Sequence, residues 1–499
     1  MPAASERPAA FERPAAFEVR LEHDSLGEIA VPADAYYGPQ TARAVQNFPV
    51  SGQRPHPAFV RAMLQIKRAA ALANLDTGRL PPEIARAIVR AAEEALAQIP
   101  PVPLAPAPGP LDAGTPGLAG QWVVDPYQAG AGTSHNMNTN EVLANRAIEL
   151  LGGQRGEYAR VHPNDHVNMA QSTNDTVPTA LRLIGLDLGG RLLRTLTRCA
   201  NALQAKAVEF DGILKTGRTH LQDAVPIRLG QEFAAYARTV ERAAARIAQA
   251  TVPLREIGLG GTAVGTGLNA DPAYISAVAR HLGAATGHPL RPAGDLRQAM
   301  QSMGDVIGLS GACRACAADL NKIANDLRLL ASGPRTGLGE IELPAVQPGS
   351  SIMPGKVNPV LCEMLNMVCY QAFGHDQTIA LAGEAGQLEL NVMMPVIAHN
   401  LAWMLTILDG GVGAFTERCV AGIRADAGRC RYWLERSAAL STALAPLIGY
   451  EAAADLTKEM LAGGRGIGEL ALERGLLSAA QLERVLDPEA MTSPGVPGR

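Results

Sequence analysis

LRLIGLDLGGRLLRTLTRCANAL, residues 181–203, decides the fold class. Apolar side chains fall at Leu181, Ile184, Leu188, Leu192, Leu196, Cys199 and Leu203, in steps of three or four. That is the repeat of a helix, not of a strand. Arg182, Arg191, Arg194 and Arg198 take other faces, and a second apolar set at Leu183, Leu186 and Leu193 widens the stripe. A stripe this wide needs neighbours on more than one side, as in a helical bundle. Long stretches of the same kind recur near 230–257, 298–332 and 360–415. Only 4% of residues are aromatic and alternating β-branched runs are scarce, so the chain is read as all-α.

Composition narrows the class of function. The chain has 499 residues, of which 47% are hydrophobic, enough for a large core. Its formal net charge is −4, without a basic stripe for nucleic acid or an acidic tail. No apolar run reaches membrane-spanning length. Glu6, Arg7, Glu12 and Arg13 stand where a signal peptide would need apolar residues, so a cytoplasmic protein is expected. Residues 6–17 repeat ERPAAF, and residues 1–18 are expected to be a disordered tail. Residues 99–120 are so rich in Pro, Ala and Gly that an exposed loop is expected. Seven cysteines, an odd number, are no disulfide framework. Cys313 and Cys316 lie three apart on a helical stretch without a second pair or histidines nearby, so they read as buried thiols rather than a metal site.

Short polar segments separate the helices: GAGTSHNMNTN (130–140), QSTNDTVPT (171–179), KTGRTHLQD (215–223) and QPGSSIMPGKVNP (347–359). Loops on a rigid scaffold are where function concentrates. In the last of them, Gly349 and Gly355 let backbone N–H groups converge on an anion. Lys356 adds a cation and Asn358 a hydrogen-bonding amide. Six of the 44 Lys and Arg residues are lysine, which makes a lysine in this loop a pointed choice. Ser172-Thr173-Asn174-Asp175 offers neutral donors to a carboxylate, and reads equally as a helix N-cap; both can hold at once. His220, beside Arg218 and Thr219, could meet a carboxylate, a leaving group or a water. Residues 258–263, GLGGTA, match a dinucleotide fingerprint by letter only, because no strand precedes them.

The segment from Gly349 to Pro359, GSSIMPGKVNP, resembles the signature loop of the aspartase/fumarase superfamily, and the likeness runs through roughly residues 19–496. Within it, Ala35-Tyr36-Tyr37-Gly38, the stretch Asp125 to Ser134, Thr173, residues 221–226 and residues 384–387 resemble aspartases more than class II fumarases. The resemblance implies a three-domain, mostly helical fold: 19–173, a central long-helix domain 174–428, and a small domain 429–499. It implies a homotetramer whose central helices share one bundle, with active sites assembled from different subunits. It also implies an aspartate ammonia-lyase, converting L-aspartate to fumarate without cofactor or metal. Carried over by position, Ser350 is the general base. Thr133, Ser172, Thr173 and Ser351 surround the carboxylate that becomes an aci-carboxylate dianion. Lys356, Asn358 and Thr219 hold the α-carboxylate, and Asn174 and His220 lie near the amino group. Glu363 stands where fumarases keep a carboxylate that pairs with the active-site histidine. His135, Met394 and residues 396–400 depart from the aspartase pattern. The rival readings are a class II fumarase, another amino-acid lyase of the superfamily, and an inactive relative that keeps the fold.

Overall fold

The structure, a computed structural model, describes residues 18–99, 117–437, 440–463 and 465–495. The expected tail and most of the proline-rich loop lie outside the described residues. Helices dominate. A hairpin, β1 (Val19–Asp24) and β2 (Gly27–Pro32), precedes α1 (Pro39–Asn47), α2 (Pro57–Asp76), α3 (Pro82–Gln98), α4 (Thr133–Leu150) and α5 (Thr173–Glu209). A second hairpin follows, β3 (Leu214–Thr219) with β4 (Gln222–Arg228). Then come α6 (Leu229–Thr251), α7 (Pro272–Thr286), α8 (Leu296–Gln301), α9 (Gly304–Leu330), α10 (Val360–Glu384), α11 (Met394–Arg418) and α12 (Ala427–Arg436). Five shorter helices, α13 to α17, lie between Leu440 and Thr492. The class is all-α, as the periodicity requires.

All seven periodic apolar residues of 181–203 are buried. The arginines divide. Arg194 and Arg198 are exposed, but Arg182 is 2% exposed, with Nη1 on Asp305 Oδ2 at 2.8 Å. A guanidinium can be buried there because a carboxylate meets it. The stretch 360–415 is two helices rather than one. Asn391, wholly buried, donates from Nδ2 to Ala382 O (2.9 Å) and Gly383 O (3.0 Å), and its Oδ1 accepts from the Met393 amide (2.8 Å). One side chain thus ends α10 and begins α11. Cys313 and Cys316 are buried in α9, and burial pushes the Cys313 thiol up to about 12.

The chain forms two compact units: Met1–Leu186 with Pro253–Ile307 and Thr378–Trp403, and Asp187–Val252 with Gly308–Gln377 and Met404–Arg499. The first unit packs α2, α3 and α4 around Val60, Leu64, Ile88, Trp122, Leu143 and Ile148. Each such side chain stabilises the fold by roughly 1.5–3 kcal/mol when fully buried. The Ala35–Gly38 segment belongs to this framework. Gly38 begins α1 without a capping side chain, and buried Glu141 takes that role. Its carboxylate accepts from the amides of Gly38 (2.9 Å), Gln40 (2.9 Å) and Thr41 (3.1 Å) and from Thr41 Oγ1 (2.6 Å). A Cβ on Gly38 would fall 2.3 Å from the Tyr158 hydroxyl, so packing alone demands glycine there.

In the second unit the β3–β4 hairpin is rooted by buried ions. Lys215 Nζ lies 2.8 Å from Glu232 and 3.2 Å from Glu340, and Arg218 Nη1 lies 2.9 Å from Glu340. The other side of the hairpin meets α17 through Arg228 Nη1, which donates to Thr492 Oγ1 at 2.7 Å. A separate apolar cluster, including Leu444, Leu456, Ile467, Leu470 and Val485, holds the C-terminal helices together.

Candidate active site

Within the first unit, two helix starts carry the predicted donors. Ahead of α4, Ala131 and Gly132 have φ of 62° and 90°, and the Ala131 amide donates to Val392 O at 2.8 Å. A Cβ on Gly132 would sit 3.2 Å from Val177 of α5 and 3.7 Å from Pro395 of α11. The turn therefore packs directly against the first turns of α5. Thr133 is exposed, whereas residues 134–140 behind it are all buried. The helix presents a single hydroxyl at its tip.

At the start of α5, Ser172 Oγ accepts from the Asn174 amide at 3.2 Å, while Asp175 Oδ1 accepts from the Ser172 amide at 2.9 Å. Ser172 thus caps the second amide of the helix, and Asp175 reaches back to the Ser172 amide as the third residue of a capping box does, so the capping reading of S-T-N-D holds. Asn174 Nδ2 donates to Ala263 O at 2.8 Å. Thr173 is 8% exposed, and Ser172 and Asn174 are half-buried. Beneath them Lys67, fully buried, donates to Asn168 Oδ1 (2.9 Å) and Gln171 Oε1 (3.0 Å).

His135, two residues past Thr133, is tied to the preceding turn twice. Its amide donates to Gln128 Oε1 (3.0 Å), and its Nε2 lies 3.2 Å from Val124 O. A carbonyl only accepts, so Nε2 carries the proton and Nδ1 is left as a buried lone pair without a partner among the described residues. Burial lowers its pKa to about 4. A histidine held neutral when folded costs stability in acid, because the unfolded chain binds the proton first. Between the usual histidine value near 6.5 and about 4 the unfolded state holds more protons, so this contribution is present above that window and is lost as pH falls through it. His135→Leu is expected to flatten the acid side of the stability curve by up to ~3 kcal/mol. Urea unfolding at pH 7 and pH 4.5 measures it, and parallel curves for both proteins would remove His135 as the cause.

In the second unit, Thr219 and His220 sit at the tip of the β3–β4 hairpin. Thr219 pairs with Gln222, leaving His220 and Leu221 as a two-residue turn with φ of 55° and 59°. Positive φ at both positions is the turn that matches strand twist. Thr219, His220 and Leu221 are exposed. The 349–359 loop closes on itself. The Gly349 amide donates to Lys356 O (2.7 Å), and Asn358 Nδ2 donates to Gly349 O (2.6 Å). A Cβ on Gly349 would fall 2.6 Å from Lys356 O, so glycine is required at the closure. Inside it, Ser350 Oγ accepts from the amides of Ile352 (3.2 Å) and Met353 (2.9 Å). Ser351 and Lys356 are exposed, and Lys356 makes no ion pair among the described residues. Glu363 lies in the first turn of α10. Among the described residues no hydrogen bond or ion pair joins His220 to Glu363 or to the 349–359 loop.

Comparison with known proteins identifies the class. The family described as Lyase matches residues 115–374, and the fumarase C C-terminus matches residues 440–493. An aspartate ammonia-lyase from a Bacillus species is 49% identical over 97% of this chain and 99% of its own. A class II fumarate hydratase from Thermosynechococcus vestitus is 45% identical over 95% and 98%. A crystal structure titled fumarate lyase:delta crystallin, from Brucella melitensis and bound to cobalt, superposes with a TM-score of 0.89 at 47% identity, covering 96% of this chain and all of that one. The chain belongs to the lyase family that includes aspartases and class II fumarases.

Proposed function

We propose that the protein is an aspartate ammonia-lyase. The observation that carries the reading is Ser350, whose Oγ already accepts two backbone N–H groups from its own loop. A serine is a poor base in water, but an alkoxide held by fixed dipoles is not, and those dipoles need no rearrangement when the charge forms. The Ser350 alkoxide takes the proton from the carbon beside the β-carboxylate, which becomes an aci-carboxylate dianion. Thr133, Ser172, Thr173 and Ser351 donate to that group, more strongly as its charge grows, which is how binding becomes catalysis. Collapse of the dianion forms the double bond and breaks the Cα–N bond. Ammonia leaves, and fumarate remains. Lys356, Asn358 and Thr219 hold the α-carboxylate, while Asn174 and His220 face the amino group. No step calls for a metal or an organic cofactor.

The polar clusters are divided between the two units of one chain, and His220 finds no Glu363 within its own. Both fit a homotetramer whose subunits exchange loops to complete each site, with Glu363 supporting a histidine of another copy. A class II fumarase is the second reading, favoured by the Thermosynechococcus relative; it would use the same base and add water to fumarate. Ala131 and Thr173 weigh toward the aspartase. The test offers L-aspartate and L-malate separately to purified protein, following fumarate by ultraviolet absorbance and ammonia by a coupled assay. Fumarate with equimolar ammonia from L-aspartate alone is expected. Fumarate from L-malate alone would replace this reading with the fumarase.

A further inference from the structure

Asp175 has more to do than cap a helix. A capping box uses one carboxylate oxygen, and Asp175 Oδ1 meets that need on the Ser172 amide. Its other oxygen, Oδ2, reaches into a different segment and accepts from the amides of Gly260 (3.1 Å) and Thr262 (3.0 Å). The carboxylate is wholly buried, and among the described residues no cation touches it. Burial raises its pKa to about 7, opposed by the amides it accepts from and, from a distance, by Lys67, whose Nζ rests on two neutral side-chain oxygens and whose own pKa burial lowers to about 7. The segment Asp175 grips is the glycine-rich run 258–267. Gly261 and Gly265 fit there because a Cβ would strike Met300 Sδ at 2.3 Å and Arg297 Cα at 2.5 Å. Thr262 is held at φ 57°, rare for a β-branched residue, and its Oγ1 is buried without a partner among the described residues. Strain and an orphaned hydroxyl persist only where the surroundings over-determine the backbone. A second tie runs alongside, from Asn174 Nδ2 to Ala263 O.

We infer that Asp175 is a positioning residue, clamping the glycine-rich turn 258–263 to the start of α5 so that Ser172, Thr173 and Asn174 are held at one fixed set of angles. The inference rests on the proposed function for what Ser172 and Thr173 meet, a carboxylate turning into a dianion, and for Asn174 beside them at the amino group. Donors fixed in advance favour the dianion over the ground-state carboxylate. The clamp therefore acts on turnover and not on substrate affinity.

The test compares two ligands. Succinate carries the ground-state carboxylates, and the nitronate dianion of 3-nitropropionate mimics the aci-carboxylate. Asp175→Asn keeps the size of the side chain but sets an N–H against one of the two groups of amides. In this variant, affinity for the nitronate and kcat are expected to fall together by on the order of 10²-fold, the effect of a small misplacement of reacting groups, with succinate affinity and KM within about twofold. Equal losses for both ligands, or kcat falling only as far as the folded fraction falls, would reduce Asp175 to a structural cap. The ligand comparison does not depend on which substrate the wild type prefers, so it is separable from the aspartate-against-malate assay. Should Asp175→Asn not fold, hydrogen exchange on the wild-type protein decides. Peptides covering 171–176 and 258–264 are expected to open at one shared rate because one carboxylate holds both. Independent rates would overturn the clamp.

Discussion

Replacing Ser350 by alanine is expected to abolish turnover while leaving the fold intact. A positioned base contributes roughly 10²–10⁴-fold, and here no neighbour in the loop replaces it, so the loss lies at or beyond the top of that range. The fold should tolerate the change. The side chain is outside the core, and the two amides it releases belong to Ile352 and Met353, which are 83% and 49% exposed and open to water. Only kcat should move. The hydroxyl reaches for the carbon-bound proton and is not assigned to either carboxylate, so KM for L-aspartate should stay close to that of the parent. Circular dichroism and the unfolding midpoint establish that the variant is folded, and fumarate absorbance gives the rate. Near-native activity would remove Ser350 as the base and shift attention to His220. A raised KM with unchanged kcat would make it a binding residue.

What the sequence disclosed, and what it withheld, follows from the range of the interactions involved. The long helix was legible because its seven apolar positions report burial one turn at a time. The 349–359 loop was legible as a site, though not its closure, because its bonds are local: Gly349 meets Lys356 and Asn358, and Ser350 meets Ile352 and Met353, all within ten positions. The β3–β4 hairpin was not. Its turn is His220-Leu221, two residues that seldom take positive φ, where Asn-Gly would have announced a turn. Its strand contains Lys215, a charge in a position that reads as exposed until Glu232 and Glu340 are seen around it. The break between α10 and α11 had a signal that periodicity overrode, since Gly386, Asn391 and Pro395 stand in the middle of the apolar stretch. Asp175 is the hardest case. Its partners Gly260 and Thr262 are 85 and 87 positions away, and a local reading finds only the cap. The glycine-rich run was read as having no strand before it, but a two-residue strand, Glu256–Ile257, paired in parallel with Arg291–Pro292, leads directly into it, and nothing local says what the run packs against.

The same buried ions that hid the hairpin make it vulnerable. Lys215 is 1% exposed and the only cation touching Glu232 among the described residues. Lys215→Met fills the space with an apolar chain of similar length and leaves Glu232 without its partner, while Glu340 keeps Arg218. Removing one member of a buried pair costs about 3–5 kcal/mol, because the remaining charge stays desolvated. Burial already raises the Glu232 carboxyl above its ordinary value, with Lys215 opposing the shift, so its loss raises that carboxyl further. An acid whose folded pKa is raised binds more protons folded than unfolded, and stability then falls as pH climbs above the unfolded value near 4.5. The deficit of Lys215→Met should therefore be small at pH 4, where Glu232 is protonated in either state, and grow toward pH 7. Adding Glu232→Gln should recover much of it at pH 7 and little at pH 4. Because this root supports the strand leading to Thr219 and His220, kcat/KM should fall with the single change and return in part with the double. Urea unfolding of the three proteins at both pH values decides. A deficit independent of pH, or a double variant no better than the single, would mean that Lys215 serves the hairpin through its packing and its bond to Thr216 O rather than through its charge.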